Sequence, residues 1–314
     1  MSRLQVDQAG PMLTVQDLGR PGLFDRGVSG AGPMDPPAFE IANALVGNHR
    51  DAAALEFAVF GGRFSVDYPV RIAVTGGALE IRIDDRLCRP WESYVLRPGQ
   101  SLSLGALRGA VWGYLAISGG IDTPPVLDSR STHLRSGLGG LEGRRLAAGD
   151  NLPLGVSSPK PLRALAQGLP RGLGPILVIP GPQADHFAPR IWDLFLTSDF
   201  VVGPSRDRMA QVLDGPLLVA EGGHDIVSDG TVAGSIQVPA SGRPIVLMAE
   251  RQTTGGYPKI ATIASADLPR LAQMPTGSRI RFRRISRDDA ETLLIDSRRA
   301  LAACLADLPV KTEG

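Results

Sequence analysis

The residues best suited to chemistry lie in one glycine-rich loop near residue 255. Polar side chains surround Gly255 and Gly256 within the segment ERQTTGGYPK, residues 250–259. A backbone without Cβ atoms can approach a ligand closely, and Pro258 stiffens the exit towards Lys259. Glycine amides and an ammonium group could stabilise negative charge that develops on a carbonyl oxygen. The loop therefore indicates a site for a small carbonyl or carboxylate compound, although a solvated charge at a hairpin tip would show the same pattern.

The composition singles out Lys259. The chain has three lysines, and the other two, Lys160 and Lys311, lie in a Pro/Ser-rich segment and in the C-terminal tail. Nearly every other cation is arginine. Because an ammonium is a compact charge and a guanidinium is a planar fork, a lysine at this position favours a role at a small carbonyl or carboxylate group.

The elements that position this loop are predicted to be a strand before it and a strand and short helix after it. The apolar runs 245–249 and 260–264 are rich in β-branched residues and have the length of buried strands. Across the chain, 38 glycines and 26 prolines with only 5% aromatic residues indicate short strands joined by tight turns. The predicted fold class is therefore mainly β, a β-rich α+β protein.

Local patterns predict further strands. Residues 70–75 and 79–83 flank Gly76-Gly77 and predict a hairpin with one buried face. Residues 110–118 form a long apolar run, and residues 278–285 alternate apolar and basic side chains. Both segments are predicted strands.

Helices are predicted in few places. Asp35 is a candidate cap for a helix over 36–46, and a second helix is predicted over 184–196. Ser286 and Asp289 resemble a capping box that starts a C-terminal helix. We expect that terminal helix to pack as a cover.

The chain is long enough for two domains. Residues 156–174 are rich in Pro, Ser and Gly and make the best linker. We therefore predict an N-terminal half over 1–155 and a C-terminal half over 175–314. Similar glycine-led turns before alternating strands give a hint of how the chain divides.

Three long motifs resemble one known family. Residues 252–273, QTTGGYPKIATIASADLPRLAQ, look like its C-terminal signature, and residues 13–48 and 228–252 are similar to its other motifs. The family includes the C component of the bacterial ATP-dependent 5-oxoprolinase, the Kip antagonist, allophanate hydrolase subunit 2 and half of the carboxyltransferase domain of urea carboxylase. The resemblance implies two tandem cyclophilin-like β-barrel halves with a few short helices and a C-terminal helix.

The resemblance implies a function in a complex. The first expectation is one component of an ATP-dependent 5-oxoprolinase, which hydrolyses the lactam of 5-oxo-L-proline to glutamate. The expected partners are a Kip-inhibitor-like protein, which is the B component of such an enzyme, and a lactam-utilisation-type protein, which is its A component. ATP is expected in the complex. The alternatives are a biotin-dependent carboxyltransferase that acts on a urea-like amide nitrogen, with biotin used only in that case, and a non-catalytic regulatory protein like the Kip antagonist. Ser241 stands where some carboxyltransferase relatives have Asn, which favours the 5-oxoprolinase.

The matched motifs carry the candidate site residues. Catalytic roles are predicted for Lys259, Gln252 and Thr253. Substrate-binding roles are predicted for residues of the same loop and the segments before it: Gly255, Gly256, Tyr257, Ser241, Gln237 and Asp229. Gln16, Asp17 and Arg20 form a second candidate segment, for which the alternative is an Asp–Arg pair that pins a turn.

Charge and motif content argue against several other classes. A net charge of +1 without a basic block implies neither a nucleic acid nor a membrane partner. The chain has no apolar run of membrane-span length and no signal-peptide core at its start, so a cytoplasmic location is expected. Four scattered histidines and two cysteines give no metal-ligand spacing. The sequence contains no GxxxxGK[ST] motif and no biotin acceptor, so ATP or biotin would be bound in another style or carried by a partner.

Overall fold

A computed structural model describes residues 2–166, 168 and 170–311. The mainly β fold with few helices is confirmed. The chain forms two compact units: the first comprises Met1–Arg20, Ala31–Pro170 and Leu301–Gly314, and the second comprises Pro21–Gly30 and Arg171–Ala300. The junction at Pro170 falls in the predicted linker, whereas residues 21–30 and the residues from 301 onward group with the unit of the opposite half.

The first unit contains two antiparallel sheets. Its strands are β1 (Arg3–Ala9), β2 (Thr14–Gln16), β3 (Ala54–Ala58), β4 (Phe60–Val66), β5 (Val70–Thr75), β6 (Ile81–Ile83), β7 (Arg86–Cys88), β8 (Ser93–Leu96), β9 (Leu102–Ala106), β10 (Trp112–Ile117) and β11 (Asn151–Pro153). The sheet orders are β11-β1-β4-β9-β6-β7 and β2-β3-β10-β5-β8. Apolar side chains from both sheets, including Leu4, Phe64 and Leu115, form one fully buried core.

The prediction of a hairpin over residues 70–83 is wrong, because β5 and β6 belong to different sheets. β5 pairs with β10 and β8, whereas β6 pairs with β7 and β9. Gly76 turns the chain with a φ of 106°, and a Cβ atom there would lie 2.2 Å from the carbonyl oxygen of Trp112. Only glycine fits this close approach, and the chain passes from one sheet to the other after it.

The helices are α1 (Pro36–Leu45), α2 (Pro189–Thr197), α3 (Leu268–Gln273) and α4 (Arg287–Ala306), with short 3₁₀ helices at Phe24–Arg26 and Ala184–His186. The Asp35 cap of α1 is confirmed, since the side chain accepts a hydrogen bond from the Ala38 N–H. The helix predicted over 184–196 is interrupted between the second 3₁₀ helix and α2.

The capping box of α4 is confirmed, but its predicted role as a packed cover is wrong. The Asp289 N–H donates to Ser286 Oγ at 3.0 Å. Leu301 is the only residue within α4 that is buried, and Leu293 and Ile295 are exposed. None of the helices in the described part of the chain is long and apolar enough to cross a membrane.

The second unit contains a nearly closed barrel. Its strands are β12 (Ile176–Pro180), β13 (Phe200–Arg206), β14 (Ala210–Asp214), β15 (Asp229–Gly230), β16 (Ser235–Gln237), β17 (Ile245–Leu247), β18 (Thr254–Gly255), β19 (Lys259–Ile263), β20 (Arg279–Ile280) and β21 (Phe282–Arg284). Eight of them form a sheet in the order β20-β13-β14-β17-β16-β19-β12-β21. Its two edge strands, β20 and β21, are separated in the chain by Arg281 alone. The rings of Phe195 and Phe282 stack in the core with centroids 4.5 Å apart.

The predicted order of strand, loop, strand and short helix around residue 255 is confirmed by β17, β19 and α3. Lys259 is the first residue of β19. The two remaining strands, β15 and β18, form a small antiparallel ribbon, here called the loop ribbon, and within the described residues they pair only with each other.

Candidate functional site

Lys259 carries a buried ammonium group at the start of β19. Its side chain is only 1% exposed, and Nζ lies 3.0 Å from Oδ2 of Asp229, whose side chain is 48% exposed. Asp229 is the only partner of this ammonium among the residues that the structure describes. Since an ammonium has three N–H donors, the pair leaves donor capacity for a ligand.

A β-bulge sets the position of Lys259. Along β16 and β19, Ile236 lies opposite Ala261, but the next residue, Gln237, lies opposite Lys259, so that Ile260 is an extra residue. Bulges bend a strand and re-aim its side chains, and they are common beside active sites. The register makes Gln237 and Lys259 cross-strand neighbours, whose side chains lie on one face.

The loop ribbon places Asp229 at Lys259. Asp229 lies opposite Gly255, and Gly230 lies opposite Thr254. On either side of these pairs, the Ile226 N–H donates to the Gly256 carbonyl at 2.8 Å and the Thr231 N–H donates to the Thr253 carbonyl at 3.0 Å. The ribbon thus joins the glycine-rich loop to the segment that carries Asp229.

The charge of Asp229 is stabilised by its neighbours. The contact with the Lys259 ammonium has the largest effect in lowering the pKa of the Asp229 carboxyl, and a contact from Gln183 adds to it. The Gly230 N–H also donates to Asp229 Oδ1 at 2.7 Å. Asp229 is therefore a carboxylate at neutral pH.

The side chain of Gln237, the cross-strand neighbour of Lys259, presents a second oriented donor. Its side chain is buried, and Gln252 Nε2 donates to Gln237 Oε1 at 3.2 Å. Gln237 Nε2 has no hydrogen-bond partner within the described residues. A buried donor without a partner is costly, so its N–H groups are candidates to bind an oxygen atom of a ligand.

The two glycines of the loop differ in their surroundings. A Cβ atom on Gly255 would lie 2.4 Å from Gln237 Nε2, whereas one on Gly256 would meet no atom closer than 3.4 Å. Close approach to Gln237 therefore requires glycine at position 255 and not at position 256.

Three other predicted residues lie apart from this hydrogen-bonded group. Tyr257 is 40% exposed, and Thr253 contributes its backbone carbonyl to the contact with Thr231. Ser241 lies in the exposed turn after β16, where its Oγ accepts a hydrogen bond from the Arg243 N–H at 3.4 Å. In the described part of the chain, none of these three side chains hydrogen-bonds to Lys259 or Asp229, and their roles stay predictions.

The second candidate segment lies in the first unit, where its side chains pin a loop. Asp17 Oδ1 accepts hydrogen bonds from the hydroxyls of Ser129 and Ser131, both at 2.6 Å. Arg20 is buried and donates to the Ser131 carbonyl at 2.5 Å. Gln16 is also buried, and its Nε2 donates to the Thr132 carbonyl at 3.2 Å. These contacts favour a structural role, and a functional role for Gln16, Asp17 and Arg20 stays a prediction.

Sequence reasoning missed Gln183, which contacts both members of the ion pair. Its Oε1 accepts the backbone N–H of Lys259 at 3.2 Å, and its Nε2 donates to Asp229 Oδ2 at 3.4 Å. The residue lies far from both in sequence and belongs to none of the quoted motifs. The available signal is the turn sequence Gly181-Pro182-Gln183 directly after the apolar strand β12.

Two arginines fix the start of the glycine-rich loop. Arg208 Nε donates to Glu250 Oε1 at 2.5 Å, and both side chains are buried. Arg251, which follows Glu250 in the chain, stacks its guanidinium over the ring of Phe24 at 4.5 Å. Burial lowers the pKa of Arg251 to about 10, which still leaves the group charged at neutral pH.

The two donors match only some of the ligands that the resemblance implies. The ammonium of Lys259 and the amide of Gln237 fit one small carbonyl or ureido oxygen, as in a lactam, urea or the biotin ring. They do not fit a triphosphate, because the carboxylate of Asp229 beside the single ammonium would repel the negatively charged phosphate groups. No group of three or more His, Cys, Asp or Glu residues in the described part of the chain could hold a metal ion.

Comparison with known proteins identifies the family. A family model described as the carboxyltransferase domain, subdomain A and B, matches residues 26–284. The chain is 40% identical over 291 residues to the C component of the 5-oxoprolinase of Escherichia coli strain K12, an alignment that covers 91% of this chain and 93% of that protein. It is 36% identical to the corresponding 5-oxoprolinase component of Haemophilus influenzae, with 89% of this chain and 90% of that protein covered.

A solved structure agrees with this assignment. The crystal structure of the Kluyveromyces lactis urea carboxylase superposes with a TM-score of 0.88 at 28% identity and covers 99% of this chain. The chain spans only 30% of the length of that enzyme. The family match and the identity over nearly the whole chain show that this protein belongs to the family of the carboxyltransferase domain, subdomains A and B.

Proposed function

We propose that this chain is the C component of an ATP-dependent 5-oxoprolinase, which hydrolyses the lactam of 5-oxo-L-proline to glutamate. The observation that carries the proposal is the buried Lys259 ammonium, which has spare donors and whose cross-strand neighbour Gln237 has an Nε2 group without a hydrogen-bond partner among the described residues. Identity to the Escherichia coli component over 93% of its length supports this substrate over a urea-like one.

In this proposal, Lys259 and Gln237 bind the lactam oxygen. Attack of water on the lactam carbon places negative charge on that oxygen, and donors already in place stabilise the charge more than they stabilise the neutral carbonyl. The ring C–N bond then breaks, and the nitrogen takes a proton and becomes the amino group of glutamate. Asp229 contributes by holding the ammonium in place, and Gln252 contributes by orienting the Gln237 amide.

ATP is placed elsewhere in the complex. When bound, it supplies the free energy that activates the stable lactam. The Lys259 group does not fit a triphosphate, so we assign no step at this site to ATP. The expected partners are a Kip-inhibitor-like B component and a lactam-utilisation-type A component, and the complex is expected in the cytoplasm.

Reconstitution tests this function. The chain is mixed with the two expected partner proteins, and ATP-dependent release of glutamate from 5-oxo-L-proline is measured. We expect turnover only with all components, and we expect Lys259→Met to abolish most of it. Lys160→Met is the matched control, because Lys160 is exposed and lies in the first unit. Full turnover by the isolated chain would contradict the proposed division of the enzyme into separate components.

A biotin-dependent carboxyltransferase is the second candidate. It is supported by the structural match to urea carboxylase, which covers 99% of this chain. Under this function the same donors would bind the oxygen of a urea-like amide whose nitrogen is carboxylated. Carboxylation of urea in the presence of a carboxybiotin carrier, without glutamate release from 5-oxo-L-proline, would favour it. Partner binding without either reaction would favour a regulatory protein.

A further inference from the structure

We propose that Gln183 is a positioning residue that locks the Lys259 backbone and the Asp229 carboxylate into one arrangement, so that the buried ammonium is aimed at its ligand. The inference deepens the proposed function, since it rests on Lys259 as the donor to the reacting oxygen. It adds a residue that neither the motifs nor the composition indicated.

Gln183 closes a three-residue contact with both ends of its amide. The carbonyl oxygen Oε1 accepts the backbone N–H of Lys259 at 3.2 Å. The nitrogen Nε2 donates at 3.4 Å to Oδ2 of Asp229, the same oxygen that lies 3.0 Å from Lys259 Nζ. Gln183 therefore contacts the main chain of the lysine and the counter-ion of its side chain together.

The β-bulge explains why Lys259 needs this partner. The register shifts between Ile236 and Gln237, and at this bulge the Lys259 N–H donates to the side chain of Gln183. The carbonyl groups of the residues on either side of Lys259 have backbone hydrogen-bond partners. The Val238 N–H donates to the Pro258 carbonyl at 3.0 Å, and the Gly181 N–H donates to the Ile260 carbonyl at 2.9 Å. A buried backbone N–H requires an acceptor, and for Lys259 the acceptor is a side chain from another segment.

The backbone of Gln183 is itself held against β19. A Cβ atom on Gly181 would lie 2.2 Å from the carbonyl oxygen of Lys259, so only glycine permits this approach. The Ala184 N–H donates to the Gly181 carbonyl at 3.1 Å, and the His186 N–H donates to the Gln183 carbonyl at 3.0 Å. The amide of Gln183 thus projects from a short, hydrogen-bonded turn, as a positioning group should.

The loss of Gln183 should affect turnover more than binding. Donors stabilise a developing charge only when they are held in place beforehand, and a small misplacement can cost up to about a hundredfold in rate. We expect Gln183→Leu to lower kcat of the reconstituted complex by roughly 10- to 100-fold with little change in KM. Gln183→Glu keeps an acceptor for the Lys259 N–H but replaces the donor to Asp229 by a second carboxylate.

The three lysines of the chain make a direct test possible. Protein labelled with ¹⁵N,¹³C-lysine gives three backbone amide signals and three side-chain Cε signals. Lys160→Arg and Lys311→Arg each remove the signals of one lysine, so that the remaining pair of signals is assigned to Lys259. In Gln183→Leu, hydrogen exchange of the Lys259 amide should accelerate about tenfold or more, the scale of one lost hydrogen bond. In Gln183→Glu, that protection should remain. The acidic change in the Lys259 Cε signal, which reports the titration of Asp229, should move to higher pH, because a like charge raises the pKa of Asp229.

Gln100→Leu is the matched control. Gln100 makes the same pair of contacts in the first unit: its Oε1 accepts the Arg97 N–H at 3.0 Å, and its Nε2 donates to Asp84 Oδ2 at 3.2 Å. This variant should leave three quantities unchanged: the hydrogen exchange of the Lys259 amide, the pH dependence of the Lys259 Cε signal and the kcat of the complex. Melting temperatures of all variants show whether any change is local.

The outcomes separate this inference from the proposed function. The positioning role would be overturned if, in both Gln183 variants, the hydrogen exchange of the Lys259 amide and the pH dependence of its Cε signal matched those of wild type. An unchanged kcat of Gln183→Leu in an active complex would overturn it as well. If the Lys259 signals change as expected while even the wild-type complex leaves 5-oxo-L-proline intact, the placement of Lys259 by Gln183 stands and the proposed substrate is wrong.

Discussion

Gly255 and Gln237 are packed more closely than any side chain at position 255 would allow. A Cβ atom on Gly255 would lie only 2.4 Å from Gln237 Nε2. The contact involves the far end of a flexible side chain, so that an added methyl group would displace the Gln237 amide and leave the backbone in place.

Gly255→Ala should therefore separate activity from stability. We expect the melting temperature to change little, because the Gln237 side chain can move away, while KM rises and kcat falls as its donor leaves the site. Gly256→Ala is the matched control, since a Cβ there meets nothing closer than 3.4 Å. Equal activity of the two variants would show that the Gln237 amide does not contact the substrate.

Lys259→Met should remove one preorganised donor to the reacting oxygen. Such a loss costs about 2.7 to 4 kcal/mol, or roughly two to three powers of ten in kcat. Folding should survive, because methionine fills most of the space of the aliphatic stem. Lys259→Arg should restore little activity, since a planar fork cannot occupy the position of a compact charge. Activity of the methionine variant above about a third of wild type, far from the loss of one such donor, would exclude Lys259 as a catalytic residue.

The Lys259–Asp229 pair should make stability depend on pH in the acidic range. The pKa of Asp229 is lowered in the folded protein, chiefly by Lys259. The stability that the pair contributes is therefore fully present above the unfolded-state pKa of about 3.9 and is lost as the pH falls through the lower folded-state value. The free energy of unfolding in urea should differ between wild type and Asp229→Asn by a constant amount from about pH 8 to 5. The difference should shrink below that range, and a difference that instead shrinks near neutral pH would contradict this assignment.

The buried pair of Arg208 and Glu250 should be sensitive to the loss of one partner. Arg208→Met leaves the Glu250 carboxylate buried without its guanidinium partner, which should cost about 3 to 5 kcal/mol in the free energy of unfolding. The double variant Arg208→Met with Glu250→Met should recover most of that loss, because it buries neither charge. Urea unfolding measures both values, and a double variant as unstable as the sum of two single losses would refute the explanation.

Local patterns predicted several elements well, because the relevant interactions are short-range. The apolar run at 260–264 indicated β19, and Asp35 and Ser286 indicated the starts of α1 and α4. The hairpin around Gly76 failed for the opposite reason. The turn there is set by close approach to Trp112, a residue distant in sequence, which no local pattern reveals.

The candidate site was predictable only where a motif carried it. Lys259, Gln237 and Asp229 fall in or beside the family motifs, and the structure brings them together. Gln183 was missed because its role arises from a register shift between β16 and β19 and from contacts across 76 residues of sequence. A shift of one residue in a strand pair leaves no periodic signal in the sequence.

The loop ribbon also couples the two donors of the candidate site to each other. Asp229, which contacts the ammonium of Lys259, lies on one of its strands, and Gly255, which backs the amide of Gln237, lies on the other. Among the described strands, β15 and β18 pair only with each other, so a shift of the ribbon would move the counter-ion of Lys259 and the glycine beside Gln237 together. A substitution that loosens the ribbon would therefore disturb both donors at once.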